Sequence, residues 1–134
     1  MAMKRLPNVE GMKELKFKAE FIHPILSRDK VQTARVQTDI ETGDIFAATS
    51  KQFGIFVYLR ATDVERRTLG TFTEDDAKRE GLESLDDFKT VWNGLHPRKH
   101  FDPLTEVTVI QFRPLYASEI TAMWKKAAGV DRDG

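Results

Sequence analysis

Apolar and polar residues alternate in two stretches of this chain, and these, with a third stretch read by its strand faces, predict strands. In ELKFKAEF, Leu15, Phe17, Ala19 and Phe21 fall on one face and Lys16, Lys18 and Glu20 on the other, the period of two expected of a half-buried strand. VQTARV places Val31, Thr33 and Arg35 on one face and Gln32, Ala34 and Val36 on the other. EVTVIQF sets Val107, Val109 and Gln111 against Thr108, Ile110 and Phe112. Between them, ETGDIFAAT reads as a turn at Gly43 and Asp44 leading into a strand, and FGIFVYLRATDVERR as a long strand rich in aromatic and β-branched residues. A small antiparallel sheet or barrel is expected.

The pattern then shifts to helical spacing. Pro24, Ile25 and Leu26 suit a short helix just before Lys30. TEDDAKREG carries a cap-like Thr73 with Asp76 three residues on, acids in the first turn, Lys78 and Arg79 late, and Gly81 as a stop. Ser84 with Asp87 starts a second helix, in which Leu85, Phe88, Val91, Trp92 and Leu95 form one apolar stripe before Pro97. That stripe is read as core. After Pro114, Ser118 is the expected cap of a terminal helix with Ile120, Met123, Trp124 and Ala127.

Composition narrows the class. With 134 residues, 40% hydrophobic and 31% charged, the chain has material for one core and is too short for two ordinary domains. Acids and bases balance at 21 each, so any contact with a polyanion must come from a local basic patch. The absence of cysteine removes disulfides, thiolate nucleophiles and cysteine-ligated zinc. No segment approaches the roughly 20 apolar residues of a membrane span. The expectation is a soluble, cytoplasmic protein without a membrane partner.

Candidate chemistry concentrates in SRDKVQTAR, where Lys30, Thr33 and Arg35 lie within six positions. Thr33 and Arg35 share a strand face, and the long stem of Lys30 can bring its ammonium beside the Thr33 hydroxyl. Other constellations are weaker. His96 and His100 have a spacing that ligates metal on a helix, but Pro97 argues for a turn and no carboxylate motif completes the set, so no metal site and no cofactor is expected. Arg66 with Arg67, and Arg98, Lys99 and His100, form short basic runs that offer secondary phosphate contacts at best.

The blocks ILSRDKVQTAR, TGD, LGTFTEDDAKREGLESLDDF and VTVIQF, in that order, resemble the ASCH domain family, with its PUA-like β-barrel fold. The likeness spans residues 15 to 115, leaving a flexible N-terminal segment, 1 to 14, and a helical extension, 116 to 134. The implied class is α+β: a PUA-like small β-barrel with short helices packed against it and a C-terminal helix. Lys30, Thr33 and Arg35 match the family's G-x-K-x-x-T-x-R block, while Arg28 stands at its glycine. Glu80 matches the acidic position of the helical block, and Gly43 with Asp44 the turn.

The resemblance implies that Lys30, Thr33, Arg35 and Glu80 line one cleft that binds RNA or a modified nucleoside or nucleotide. One branch of the family removes acyl groups from the exocyclic amine of cytidine, with a lysine, a threonine and a glutamate at the positions of Lys30, Thr33 and Glu80. A threonine hydroxyl needs a neighbouring base, and a lysine serves only where burial or a nearby cation lowers its pKa. Binding is the first reading, with an N-acylcytidine amidohydrolase and a protein-interaction module as alternatives. Without the resemblance, the same residues fit a partly exposed Lys30–Glu80 ion pair and an ordinary β-branched Thr33.

Overall fold

The computed structural model describes residue 6 and residues 9–129. Five strands, β1 (Lys13–Lys16), β2 (Gln32–Arg35), β3 (Ile45–Ser50), β4 (Gly54–Thr68) and β5 (Glu106–Pro114), form one sheet in the order β1-β3-β4-β5-β2. Helices α1 (Ile22–Ser27), α2 (Glu74–Arg79), α3 (Leu85–Leu95) and α4 (Ala117–Ala127) complete an α+β domain. The first strand starts at Lys13, before the expected Leu15, and runs parallel to β3 with Leu15 opposite Ala48. All other pairings are antiparallel, so the sheet is mixed where alternation and turns alone suggested an antiparallel one.

No ladder joins β1 to β2, and the sheet is not closed into a barrel. Its two ends nevertheless meet. Arg35 on β2 donates from Nη2 to the backbone carbonyl of Lys16 on β1 at 2.8 Å. In a flat five-stranded sheet the outer strands would lie about 19 Å apart, four spacings of about 4.8 Å, further than an arginine reaches. The sheet is therefore strongly curled. Register shifts between Ala48 and Thr49 and between Ala61 and Asp63 supply the bend, because a bulge adds local twist.

The alternation in β5 sorts the core into two clusters. Ile110 and Phe112 join Leu15, Phe17, Ile25 and Phe46, whereas Val107 and Val109 pack with Phe72, Phe88 and Trp92. Phe88 and Trp92 are each 4% exposed, as a core stripe requires.

The helix signals hold where they are local. Thr73 Oγ1 accepts from the Asp76 amide at 3.2 Å and Asp76 accepts from the Thr73 amide at 2.8 Å, a reciprocal cap for α2. The Ser84 hydroxyl accepts from the Asp87 amide at 3.1 Å at the start of α3. At α4 the expected cap shifts. The helix begins at Ala117 with Tyr116 before it, because Glu119 accepts from the Tyr116 amide at 2.7 Å, and Ser118 lies inside the first turn.

Of the segment expected to be flexible, residues 1–5, 7 and 8 lie outside the described residues. Leu6 and Met12 pack with Ile120 and Met123 of α4 against a third cluster containing Ala47, Ile55, Tyr58 and Leu115. Among the described residues no helix is long and apolar enough to cross a membrane.

Candidate functional site

Lys30 is held by backbone contacts on both sides. α1 ends on Arg28 in the left-handed conformation, φ 70°, so the position where the family carries glycine keeps a glycine-like backbone. The turn sends the Lys30 amide to the Pro24 carbonyl at 2.9 Å and the Val31 amide to the Arg79 carbonyl at 2.7 Å. Across from it, α2 stops at Gly81, φ 87°, where a Cβ would stand 3.0 Å from the Lys30 Cβ.

The Lys30 ammonium donates to the carbonyls of Gln32 at 2.9 Å and Glu80 at 3.0 Å, and lies 3.7 Å from Glu80 Oε1. It also sits 4.9 Å from the centre of the Phe21 ring. Expected beside the Thr33 hydroxyl, the ammonium is committed to these carbonyls instead. Lys30 is 4% exposed and Glu80 5%, so the pair is buried, not the partly exposed pair that the residues alone also allowed. Burial pushes the Lys30 ammonium below its ordinary range; Glu80 opposes the shift and Arg35 reinforces it. Burial pushes the Glu80 carboxyl up, against the pull of Lys30. Glu80 Oε2 is buried and has no hydrogen-bond partner among the described residues.

Thr33 and Arg35 point the same way, as their parity requires. Arg35 Nε donates to Thr33 Oγ1 at 3.4 Å, and the guanidinium lies 4.8 Å from the centre of the Phe17 ring. Lys30, Thr33, Arg35 and Glu80 all line one cleft of about 1060 Å³. Its apolar walls come from Phe21, Leu82, Val91 and Leu95, and its rim includes Lys16, Lys18, Lys51 and Gln52. The α3 stripe read only as core thus serves twice: Phe88 and Trp92 are buried in the core and, with Val91 and Leu95, also line the cleft.

One residue central to the site's frame was read only as a helix cap. Asp76, 1% exposed, accepts from Arg67 Nη1 at 2.9 Å and Nη2 at 2.7 Å, from Arg79 Nη2 at 2.8 Å and from Gln32 Nε2 at 3.3 Å. Burial alone would raise its pKa, but these donors and the Thr73 amide outweigh burial and hold the carboxyl well below the usual range. Arg79 Nε in turn donates to Gln32 Oε1 at 3.0 Å. Asp76 therefore ties α2, whose C-terminus is capped by Glu80, to β2, which carries Thr33. Arg67, considered as a phosphate contact, is spent on this carboxylate. A pairing across 44 residues between Gln32 and Asp76 leaves no local mark in the sequence.

No protein-family model matches the chain, and no curated protein matches it. Solved structures do match it. An ASCH domain from Lactobacillus crispatus superposes with a TM-score of 0.59 at 16% identity, covering 77% of this chain and 79% of its own. The fold is that of an ASCH domain. An ASCH protein from Zymomonas mobilis aligns at 12% identity and TM-score 0.55, over 81% of this chain and 76% of its own. A DUF984 protein from Enterococcus faecalis aligns at 19% identity and TM-score 0.57, over 76% and 72%. At such identities the ASCH likeness speaks for architecture, and the chemistry must be argued from the cleft itself.

Proposed function

We propose that the cleft binds RNA or a modified nucleoside or nucleotide through Lys30, Thr33, Arg35 and Glu80. The observation that carries this reading is Glu80 Oε2, a buried acceptor that no described group satisfies. An unmet buried acceptor costs about 1–3 kcal/mol, and a ligand N–H donor recovers that cost. The exocyclic amine or ring N–H of a nucleobase is such a donor, and the apolar walls beside Glu80 suit a planar ring. Arg35 adds a cation next to the Thr33 hydroxyl for a sugar or phosphate oxygen. The test is calorimetric titration with cytidine, N4-acetylcytidine and a short single-stranded RNA. Binding that weakens in Glu80→Gln, where one acceptor oxygen becomes a donor, supports the reading; no binding of any of the three by the parent overturns it.

The amidohydrolase reading rests on a separate observation. Burial lowers the Lys30 pKa, the direction a general base requires. In that chemistry Thr33 Oγ attacks the acyl carbon, the cytidine amine leaves with a proton, and water then cleaves the threonine ester. The Lys30 ammonium donates to Gln32 and Glu80 carbonyls, however, so proton transfer from Thr33 requires Lys30 to exchange at least one of those partners on ligand entry. Release of acetate from N4-acetylcytidine decides between the two readings.

A further inference from the structure

The rim of the cleft is basic although the chain as a whole carries no net charge. Lys16 ends β1, Lys18 lies just beyond it and Lys51 in the turn after β3, and all three are exposed and line the cleft. The Phe17 amide donates to the Thr49 carbonyl at 2.7 Å and locks these two segments side by side. Several other cations are neutralised within the fold: Lys13 by Asp44, Arg60 and Arg113 by Glu119, Arg67 and Arg79 by Asp76. Among the described residues Lys16, Lys18 and Lys51 enter no ion pair. Glu20, the one rim carboxylate lining the same cleft, leaves this end with an excess of positive charge.

This rim is continuous with the proposed base-binding end. Arg35, which touches Thr33 through Nε, reaches the Lys16 carbonyl through Nη2, so one guanidinium spans from the Lys30–Glu80 pair's neighbour to the basic rim. A ligand whose ring N–H donor meets Glu80 extends its other end past Arg35 toward three unpaired ammonium groups. A neutral nucleoside leaves those charges unused, whereas a phosphate on its sugar meets them.

Building on the nucleobase reading above, we infer that the cleft selects a phosphorylated ligand, a nucleotide with its base at Glu80 and its sugar phosphate at Lys16, Lys18 and Lys51. The phosphate is that of a mononucleotide or the phosphodiester of a strand, and the recognition chemistry is the same. Exposed lysines act on phosphate through screened charge, so the preference is salt-dependent.

The test compares cytidine, cytidine 5′-monophosphate and a cytidine tetranucleotide by calorimetry, with the parent and with the variant Lys16→Gln/Lys18→Gln/Lys51→Gln, whose fold is checked by circular dichroism. The expected result is a parent affinity about tenfold or more higher for at least one phosphorylated ligand than for cytidine at about 50 mM salt, narrowing by about 200 mM. In the triple variant the ratio of the two affinities should fall toward one. If only the tetranucleotide shows the gap, the phosphate is that of a strand; if the mononucleotide shows it too, a free nucleotide suffices. Equal affinity of the parent for cytidine and both phosphorylated ligands, or a preference unmoved in the triple variant, overturns the inference and leaves the nucleobase reading standing. Failure of all three ligands to bind the parent overturns the nucleobase reading and this inference with it.

Discussion

Gly81 and Lys30 touch backbone to side-chain stem: a Cβ at Gly81 would stand 3.0 Å from the Lys30 Cβ, in a residue whose φ is +87°. The same glycine ends α2 directly after Glu80, so one small residue closes the helix and makes room for the buried lysine. Gly81→Ala combines a left-handed backbone penalty of about 1–2 kcal/mol with a close contact. A loss of about 2 kcal/mol in urea unfolding is expected, together with weaker ligand binding, because the displaced element is Lys30 itself. Unchanged stability would mean that the turn relaxes freely and does not position the site.

Arg28 presents the opposite case. It adopts φ 70° where glycine would be unstrained, and it is exposed at the end of α1. Relief of about 1–2 kcal/mol of left-handed strain is offset by about 0.5–1 kcal/mol for the freer unfolded chain that glycine brings. Arg28→Gly should therefore raise stability slightly, by up to about 1.5 kcal/mol, and Arg28→Val should lower it. Thermal unfolding of parent and both variants checks the ordering; Arg28→Gly clearly less stable than the parent would show that the arginine side chain itself holds the turn.

These two turns mark how far the sequence was readable. The cap at Thr73 and Asp76, the stop at Gly81 and the two faces of β5 were legible because each signal lies within a few residues of the structure it specifies. The grouping of Lys30, Thr33, Arg35 and Glu80 in one cleft came from ordered blocks that resemble a family, since nothing local ties residue 30 to residue 80. The parallel β1–β3 pairing was not legible, because alternation along a strand is blind to its neighbour's direction. Asp76 as the partner of Arg67, Arg79 and Gln32 was hidden for another reason: helix capping already accounted for an acid at that position. Closure of the sheet was expected from the family, whereas the curled sheet has its ends linked by Arg35 without a ladder.

Asp76 should dominate the acid response of the fold. Its carboxyl is held below the usual range in the native state, so the stability it contributes is complete above the unfolded carboxylate pKa near 4 and falls as pH drops below that value. Asp76→Asn should lose about 3 kcal/mol at neutral pH, because Arg67 and Arg79 then lack their shared anion. It should also lose stability less steeply than the parent between about pH 4 and pH 2. Parallel acid profiles for parent and variant would remove Asp76 from this role.

The Lys30–Glu80 pair predicts a pH dependence of the opposite sign. Lys30→Met leaves the Glu80 carboxylate buried beside a methyl group, a loss of about 3 kcal/mol or more. With the Glu80 pKa already raised by burial and now without its cation, the folded state of the variant holds its proton more tightly than the unfolded chain. Stability of Lys30→Met is then greatest below the unfolded pKa near 4.5 and declines as pH rises through the folded value. Urea unfolding should show a larger deficit relative to the parent at pH 8 than at pH 5. Adding Glu80→Gln should recover part of the loss and flatten the profile, and a deficit independent of pH would place the cost in packing, not charge.

Binding and catalysis part at Thr33. Its hydroxyl accepts from Arg35 Nε at 3.4 Å and so retains its own proton to give. Thr33→Val keeps the branched shape that suits β2, so the fold should survive with a change of about 1 kcal/mol, reflecting one weak hydrogen bond. If the cleft only binds, affinity for a nucleoside should fall by no more than about tenfold, since one neutral hydrogen bond is at stake. If Thr33 is a nucleophile with Lys30 as its base, acetate release from N4-acetylcytidine should vanish in Thr33→Val while most affinity remains, and Thr33→Val/Lys30→Met should be hardly slower than either single variant, because half of a cooperating pair already disables the step. Chromatographic assay of acetate and calorimetric affinity on the same samples separates these outcomes. Turnover that survives in Thr33→Val removes the hydroxyl from the chemistry and turns attention to Lys30 or to a water held between Lys30 and Glu80.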